Sequence, residues 1–294
     1  VKPVDFDYAA PKSVEEVLGL LATWKGEAKL LAGGQSLVPL LVTRAVRPRF
    51  VIDINLVRDL DLIRETEGSV ALGATVRQAD AEASELVFKR CPLLSAALRW
   101  VGSPQIRNRG TVIGSLAQRN AISQIPTVAL ALGARLKVLS SAGAERTVEM
   151  EDFLDAGHPL SLGAADFVTE AWFPFQATGT TYAFVETQRR QAHYATVGVA
   201  VTLSVNEAGE MNECRVAASG IAARVIRLRG VERNLQGQRP GPEIFREAAV
   251  RAQVDPMVEP LDDVHATSAY RRAVLPELIE QALTQATARP PISF

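Results

Sequence analysis

The sequence predicts an α+β protein built in two parts. Two observations carry that expectation. Strand-like and helix-like stretches are interspersed through the first half, whereas the second half sets strand-like runs together and follows them with helices. The change of character places a boundary near Pro174 to Gly179.

Ser13 and Glu16 form a capping box, and Val14, Val17, Leu18 and Leu21 then share one helical face. Lys29 to Ala32 reads as a short buried strand that runs into Gly33-Gly34-Gln35-Ser36, after which Leu37 to Leu41 is apolar again. Phe50 to Ile54, Leu60 to Arg64 and Val70 to Ala74 are further strand candidates, with Thr75 a candidate cap for a following helix. Leu93 to Val101 reads as a helix and Gly102 to Gly110 as a structured loop. Thr127 to Leu132 reads as a helix and Ala134 to Leu139 as a strand, with Glu145 to Leu154 closing the region. In the second half, Thr181 to Thr187, Val197 to Val205 and Cys214 to Ala218 are strand-like, with Asn206 to Gly209 a hairpin turn. Helices are expected around Glu243 to Val254 and Ala269 to Leu283, covering one face of a small sheet.

A formal net charge of -1 gives nucleic acid or an anionic membrane surface no electrostatic footing. Cys91 and Cys214 stand far apart and in no CxxC arrangement, so they read as buried thiols, and this chain alone cannot supply the ligands of a four-thiolate cluster. His158, His193 and His265 show no metal-ligand spacing, and the three methionines read as packing or surface residues. No apolar stretch is long enough to cross a bilayer, and a cytoplasmic protein is the simplest expectation.

Two segments rich in small residues are the candidate binding elements. In Ala32-Gly33-Gly34-Gln35-Ser36, adjacent glycines allow a tight turn whose N–H groups can converge on an anion such as a diphosphate, and Ser36 adds a hydroxyl. The motif is neither GxGxxG nor a Walker A loop, and on chemistry alone a plain strand-to-turn junction is the favoured reading over an anion site. Thr111 to Ala117 offers hydroxyls at Thr111 and Ser115 and close backbone approach at Gly114; Asn120, Ser123 and Gln124 follow with amide and hydroxyl groups.

These segments, with Gln105 to Thr111, Arg189-Arg190, Tyr182 to Val201 and Ser268 to Arg272, resemble the FAD subunits of the xanthine dehydrogenase and aerobic carbon monoxide dehydrogenase family over nearly the whole chain. The resemblance implies a two-lobed FAD-binding region of the PCMH/vanillyl-alcohol-oxidase type over 1–176, and a carbon monoxide dehydrogenase flavoprotein-like C-terminal domain over 177–294. It places Ala32, Gly33, Gly34, Gln35 and Ser36 on the FAD diphosphate, and Thr111, Gly114 and Ser115 in a second gripping loop. Gln118, Asn120 and Gln124 correspond to positions near the diphosphate, ribityl chain or adenosine; Phe167 and Val168 to an apolar flank of the flavin; Tyr194 to a later segment that approaches it. Arg107 and Arg109 are candidates for ordering the loop, for phosphate contact or for ordinary pairing. Departures from the family pattern are Ile113 where many relatives carry glycine, Asn120-Ala121 for an acidic-Pro pair, and Gln124 for an acidic residue.

By the same resemblance the chain is an electron-transfer subunit holding FAD noncovalently. Its implied partners are a small subunit with two [2Fe-2S] clusters and a large subunit with a molybdenum-pterin cofactor, in a dimer of heterotrimers that delivers electrons to an external acceptor. Such a complex is cytoplasmic, with any contact to the inner face of the membrane made through partners. No catalytic or metal-binding residue is assigned to this chain. The alternatives are a free-standing FAD-dependent oxidoreductase with its own substrate pocket, and a non-catalytic assembly protein that has lost the cofactor.

Overall fold

The computed structural model describes residues 2–155, 157–158, 162–189 and 195–292. In chain order the elements are β1 (Asp7–Ala9), α1 (Val14–Trp24), β2 (Ala28–Leu31), α2 (Leu37–Val42), β3 (Phe50–Asp53), β4 (Ile63–Thr66), β5 (Ser69–Gly73), α3 (Gln78–Ala83) and α4 (Glu85–Arg90). Next come α5 (Pro92–Leu98), α6 (Pro104–Arg107), α7 (Val112–Gln118), α8 (Gln124–Leu132), β6 (Arg135–Ser140), β7 (Glu145–Glu149), α9 (Met150–Leu154) and β8 (Asp166–Pro174). The chain finishes with β9 (Thr181–Thr187), β10 (Val197–Val205), β11 (Met211–Ser219), β12 (Ile226–Arg227), α10 (Arg229–Leu235), α11 (Pro242–Arg251) and α12 (Ser268–Ala288).

The chain forms two compact units. The first takes Val1–Leu86, Ser103–Gln118 and Ala134–Phe173; the second takes Val87–Gly102, Arg119–Gly133 and Pro174–Phe294.

In the first unit, α1 starts where the capping box predicts. Ser13 accepts from the Glu16 N–H, and Val17 and Leu21 are buried. The Glu16 carboxylate takes the Lys12 N–H at 2.7 Å instead of that of Ser13. β3 lies between β1 and β2 in a parallel three-stranded sheet, with α2 supplying the crossover from β2 to β3 that parallel neighbours require. The expected buried strand at Lys29 to Ala32 is only half covered: Lys29 is exposed, and Leu30 and Leu31 are intermediate. Trp24 stacks on Phe50 at 4.5 Å between ring centroids, closing the sheet's end.

A five-stranded sheet in the order β4-β5-β8-β6-β7 completes this unit. β8, which periodicity did not single out, sits between β5 and β6, and the β4 strand begins three residues later than its apolar run. Thr75 is not a helix cap: Arg77 occupies the N-cap of α3, and the Thr75 hydroxyl is buried.

In the second unit, β9, β10 and β11 pair antiparallel through the expected hairpin, with β12 on the edge. Val197, Val199, Val201 and Leu203 pack with α10, α11 and α12 in one apolar core. The opposite face is covered as well, because α8 packs on β10 and β11 and α5 on β9. The expectation of a sheet covered on one face is therefore corrected. The unbroken burial of Val197 to Val201 is the mark of a strand covered on both sides.

Arg271 and Glu232 are buried charges that order this unit. Arg271 donates to the carbonyls of Thr196 and Gly220 and to Asp263. Glu232 takes the Val216 N–H at 2.9 Å and both arms of Arg227.

Candidate functional site

In the first unit the strand-to-helix junction after β2 forms the first candidate element. Gly34 has φ of 74°, a left-handed conformation that favours glycine, and this turns the chain from β2 into α2. Gly33 is glycine for a different reason: a Cβ built on it would lie 2.2 Å from the Arg109 carbonyl oxygen and 2.7 Å from Gly110 Cα. The space that a side chain would fill is thus occupied by the protein's own backbone. The N–H groups of Gly33, Gly34, Gln35 and Ser36 donate to no acceptor among the described residues. The Ser36 side chain makes no cap hydrogen bond to α2, and Gln35 Nε2 folds back to the Gly33 carbonyl at 3.3 Å.

The second element was expected to be a small-residue loop and is instead helical, as α7. Thr111 is buried, its hydroxyl accepts the Gly114 N–H at 2.9 Å, and its carbonyl accepts the Ser115 N–H at 3.2 Å. Val112, Ile113 and Leu116 are buried, so Ile113 fills core space on α7 while Gly114 and Ser115 remain half-exposed. Gln118 is exposed at the end of α7. The preceding stretch, expected as a loop, contains the single turn α6. Arg107 on α6 pairs with Glu82 at 2.7 Å, the ordinary structural pairing among its expected alternatives.

Sequence reasoning missed the residues that join the two elements. Asn55 Nδ2 donates to the Ala32 carbonyl at 2.9 Å, and Asn55 Oδ1 accepts from Arg77 Nη2 at 2.6 Å. The other arm of Arg77 donates to the Arg109 carbonyl at 2.8 Å. Burial, and after it the charge of Arg109, lowers the proton affinity of the Arg77 guanidinium. Asp53 steadies Asn55 by accepting its N–H at 2.9 Å, and also accepts the Tyr8 hydroxyl at 2.7 Å. No local motif marks Asn55 or Arg77; only their distant partners do.

The remaining predicted residues fall elsewhere. Phe167 and Val168 are buried in β8, paired with Leu139 and Val138 of β6. Asn120 and Gln124 belong to the second unit. The Asn120 side chain accepts the Ile122 N–H at 3.1 Å. Gln124, buried at the start of α8, donates to the Trp100 carbonyl at 3.4 Å and to Glu186 Oε1 at 3.3 Å. Arg190, His193 and Tyr194 lie outside the described residues. Cys91 and Cys214 are buried free thiols, and burial pushes the Cys214 thiol pKa up. Among the described residues no cluster of side chains suits a metal ion, and no helix is long and apolar enough to cross a membrane.

The open donor set suits a multiply charged anion. Consecutive N–H groups with no acceptor among the described residues and a Ser36 hydroxyl that makes no cap bond meet the oxygen-rich, negative character of a diphosphate, and the Arg77 guanidinium, its arms already on Asn55 and Arg109, adds positive charge to the same unit.

Comparison with known proteins agrees with that chemistry. Residues 4–176 match the FAD binding domain in molybdopterin dehydrogenase, and residues 182–286 match the CO dehydrogenase flavoprotein C-terminal domain. The chain is 36% identical to the 6-hydroxypseudooxynicotine dehydrogenase complex subunit alpha of Paenarthrobacter nicotinovorans, covering 98% of this chain and 97% of that one. It is 33% identical to the carbon monoxide dehydrogenase medium chain of Hydrogenophaga pseudoflava, over 98% of this chain and 99% of that one. A solved structure of carbon monoxide dehydrogenase from Hydrogenophaga pseudoflava, in a form lacking the Mo-pyranopterin moiety of the molybdenum cofactor, superposes with a TM-score of 0.92. That likeness is at 32% identity and covers 98% of this chain and 99% of that one.

Proposed function

The chain belongs to the molybdopterin-dehydrogenase family as an FAD-binding medium subunit, and from that premise we propose that it relays electrons from two [2Fe-2S] clusters of a small subunit to an external acceptor. The substrate is oxidised on a large subunit carrying the molybdenum-pterin cofactor, in a cytoplasmic dimer of heterotrimers. Flavin, when bound, supplies the exchange between one-electron donors and a two-electron acceptor.

The observation that carries the reading is the run of uncommitted N–H groups from Gly33 to Ser36, in a chain that its relatives match over 98% of its length. These groups and the Ser36 hydroxyl hold the diphosphate, while the Ser115 hydroxyl and Gln118 amide add donors from α7. Ala32 acts through its carbonyl and Thr111 through the hydroxyl that takes the Gly114 N–H, and Gly114 keeps the first turn of α7 slender. On the resemblance alone, the proposal extends to Asn120, Gln124, Phe167, Val168 and Tyr194. Binding is noncovalent, and the working division of the chain is 1–176 for the cofactor and 177–294 for the C-terminal domain. Substrate choice lies outside this chain, since relatives of comparable identity, 36% and 33%, serve a 6-hydroxypseudooxynicotine dehydrogenase and a carbon monoxide dehydrogenase.

Metal and subunit analysis of protein purified from its source under mild conditions tests this assignment. Molybdenum, iron and two further chains are expected to accompany the FAD, and acid or heat should release all yellow chromophore. The isolated chain is expected to bind FAD and leave organic substrates unoxidised. A fully active single-chain preparation free of molybdenum and iron would defeat the subunit assignment.

A further inference from the structure

We propose that Arg77, acting through Asn55, is a positioning residue that sets the separation of the two cofactor-holding segments, a role that rests on the FAD-binding reading above. The link is serial. From the Gly-Gly turn it runs from the Ala32 carbonyl to Asn55 Nδ2, through the amide to Oδ1, across to one arm of Arg77, and from the other arm to the Arg109 carbonyl. The oxygen it grips on the far side is the same Arg109 oxygen against which Gly33 packs without room for a Cβ. The fork therefore acts where the two backbones leave no room for a Cβ between them, just ahead of Thr111 and α7.

The choice of an arginine fits this task. Guanidinium presents its donors in a fixed planar fork, so two acceptors on different segments are held in one geometry. Arg77 is half-buried and has no carboxylate at ion-pair distance among the described residues; Asp61, Asp80 and Asp53 act on it only from farther away. Both carbonyls it serves are main-chain groups, directly or through Asn55, so it orders backbone and fixes the spacing of the N–H groups beyond Ala32. A half-buried cation lacking an ion-pair partner also favours an anion nearby, in keeping with a diphosphate on the adjoining turn.

FAD titration of the full-length apo chain, read by flavin fluorescence, tests the link alongside thermal melts of the same apo proteins. Arg77→Ala and Asn55→Ala are each expected to raise the FAD Kd by about ten-fold. Because the link is serial, the double variant should be no weaker than the weaker single variant. Arg77→Lys keeps the charge but loses the fork, and should stay close to the alanine level. Should an alanine variant fold poorly, Arg77→Gln carries the comparison: its amide can serve one of the two acceptors but not both, and it should lose affinity to a similar extent. Wild-type affinity in the variants, with only the apo melting temperature lowered, would make the link purely structural and overturn the proposal. Multiplying losses in the double variant would also overturn it, as would full rescue by lysine. Failure of the wild-type chain to bind FAD would bring down the parent reading together with the link, whereas unaffected variants of a binding chain would bring down the link alone.

Discussion

At Gly33 the sequence suggests one reason for a glycine and the structure shows another. Two adjacent glycines suggest room for a ligand, but the nearest atoms to an added Cβ belong to Arg109 and Gly110. Gly33→Ala is therefore expected to push the two segments apart, lowering the melting temperature of the apo chain as well as FAD affinity. Overpacking of this kind costs about 1–3 kcal/mol. An alanine variant with wild-type melting temperature and flavin content would contradict the close approach. Glu186 was not legible at all, because nothing local distinguishes it from a surface glutamate. In the second unit its Oε1 accepts from Gln188 at 2.9 Å and Gln124 at 3.3 Å, while Oε2 is buried with no partner among the described residues. Burial pushes its pKa up to about 7, with the Gln124 hydrogen bond pulling the other way. A carboxyl raised above its unfolded value of about 4.3 favours the fold fully below that pH, and the favour is lost as pH rises through about 7. Glu186→Gln should therefore be more stable than wild type at about pH 9, by a few degrees in melting temperature, with the gap closing toward about pH 5. Parallel pH profiles for the two proteins would rule this out.

Helix starts show what local chemistry can and cannot announce. Ser13 was readable because its hydroxyl, Glu16 and the spacing of Val17 and Leu21 all lie within one short window. α7 was not, because Gly114 and its small neighbours look like a loop, and helix formation there depends on burial of Val112, Ile113 and Leu116. Thr111 supplies the local part, taking the Gly114 N–H. Ser13→Ala and Thr111→Val should each cost about 1 kcal/mol by removing a cap acceptor. Only Thr111→Val should also weaken FAD binding, since α1 carries no proposed cofactor residue. Thermal melts paired with flavin titration separate the two; equal flavin affinity in both variants would exclude α7 from the site. The antiparallel strands lie at the legible extreme. The predicted ranges for β9 and β10, 181–187 and 197–205, coincide with the observed strands, because continuous β-prone residues end at clear turn signals.

For the whole molecule, the sequence by itself determined the α+β class, the β10–β11 hairpin, the capped first helix and the two glycine-bearing segments, and the resemblance it carries placed the chain in its family. Each of those signals is written within a short stretch of chain, in periodicity, turn residues or an ordered set of motifs. The tertiary structure alone decided that β8 lies between β5 and β6, and that α5 and α8 cover the second face of the β9–β12 sheet. It also decided that residues 87–102 and 119–133 join the later part of the chain in one compact unit, and that Arg77 and Asn55 join the two candidate segments. These features require partners far apart in sequence: Asn55 lies 23 residues from Ala32, and Arg77 lies 32 from Arg109. Propensity and periodicity act over a turn or a strand, whereas a carbonyl that takes its donor from another element carries no trace of that donor in its own neighbourhood.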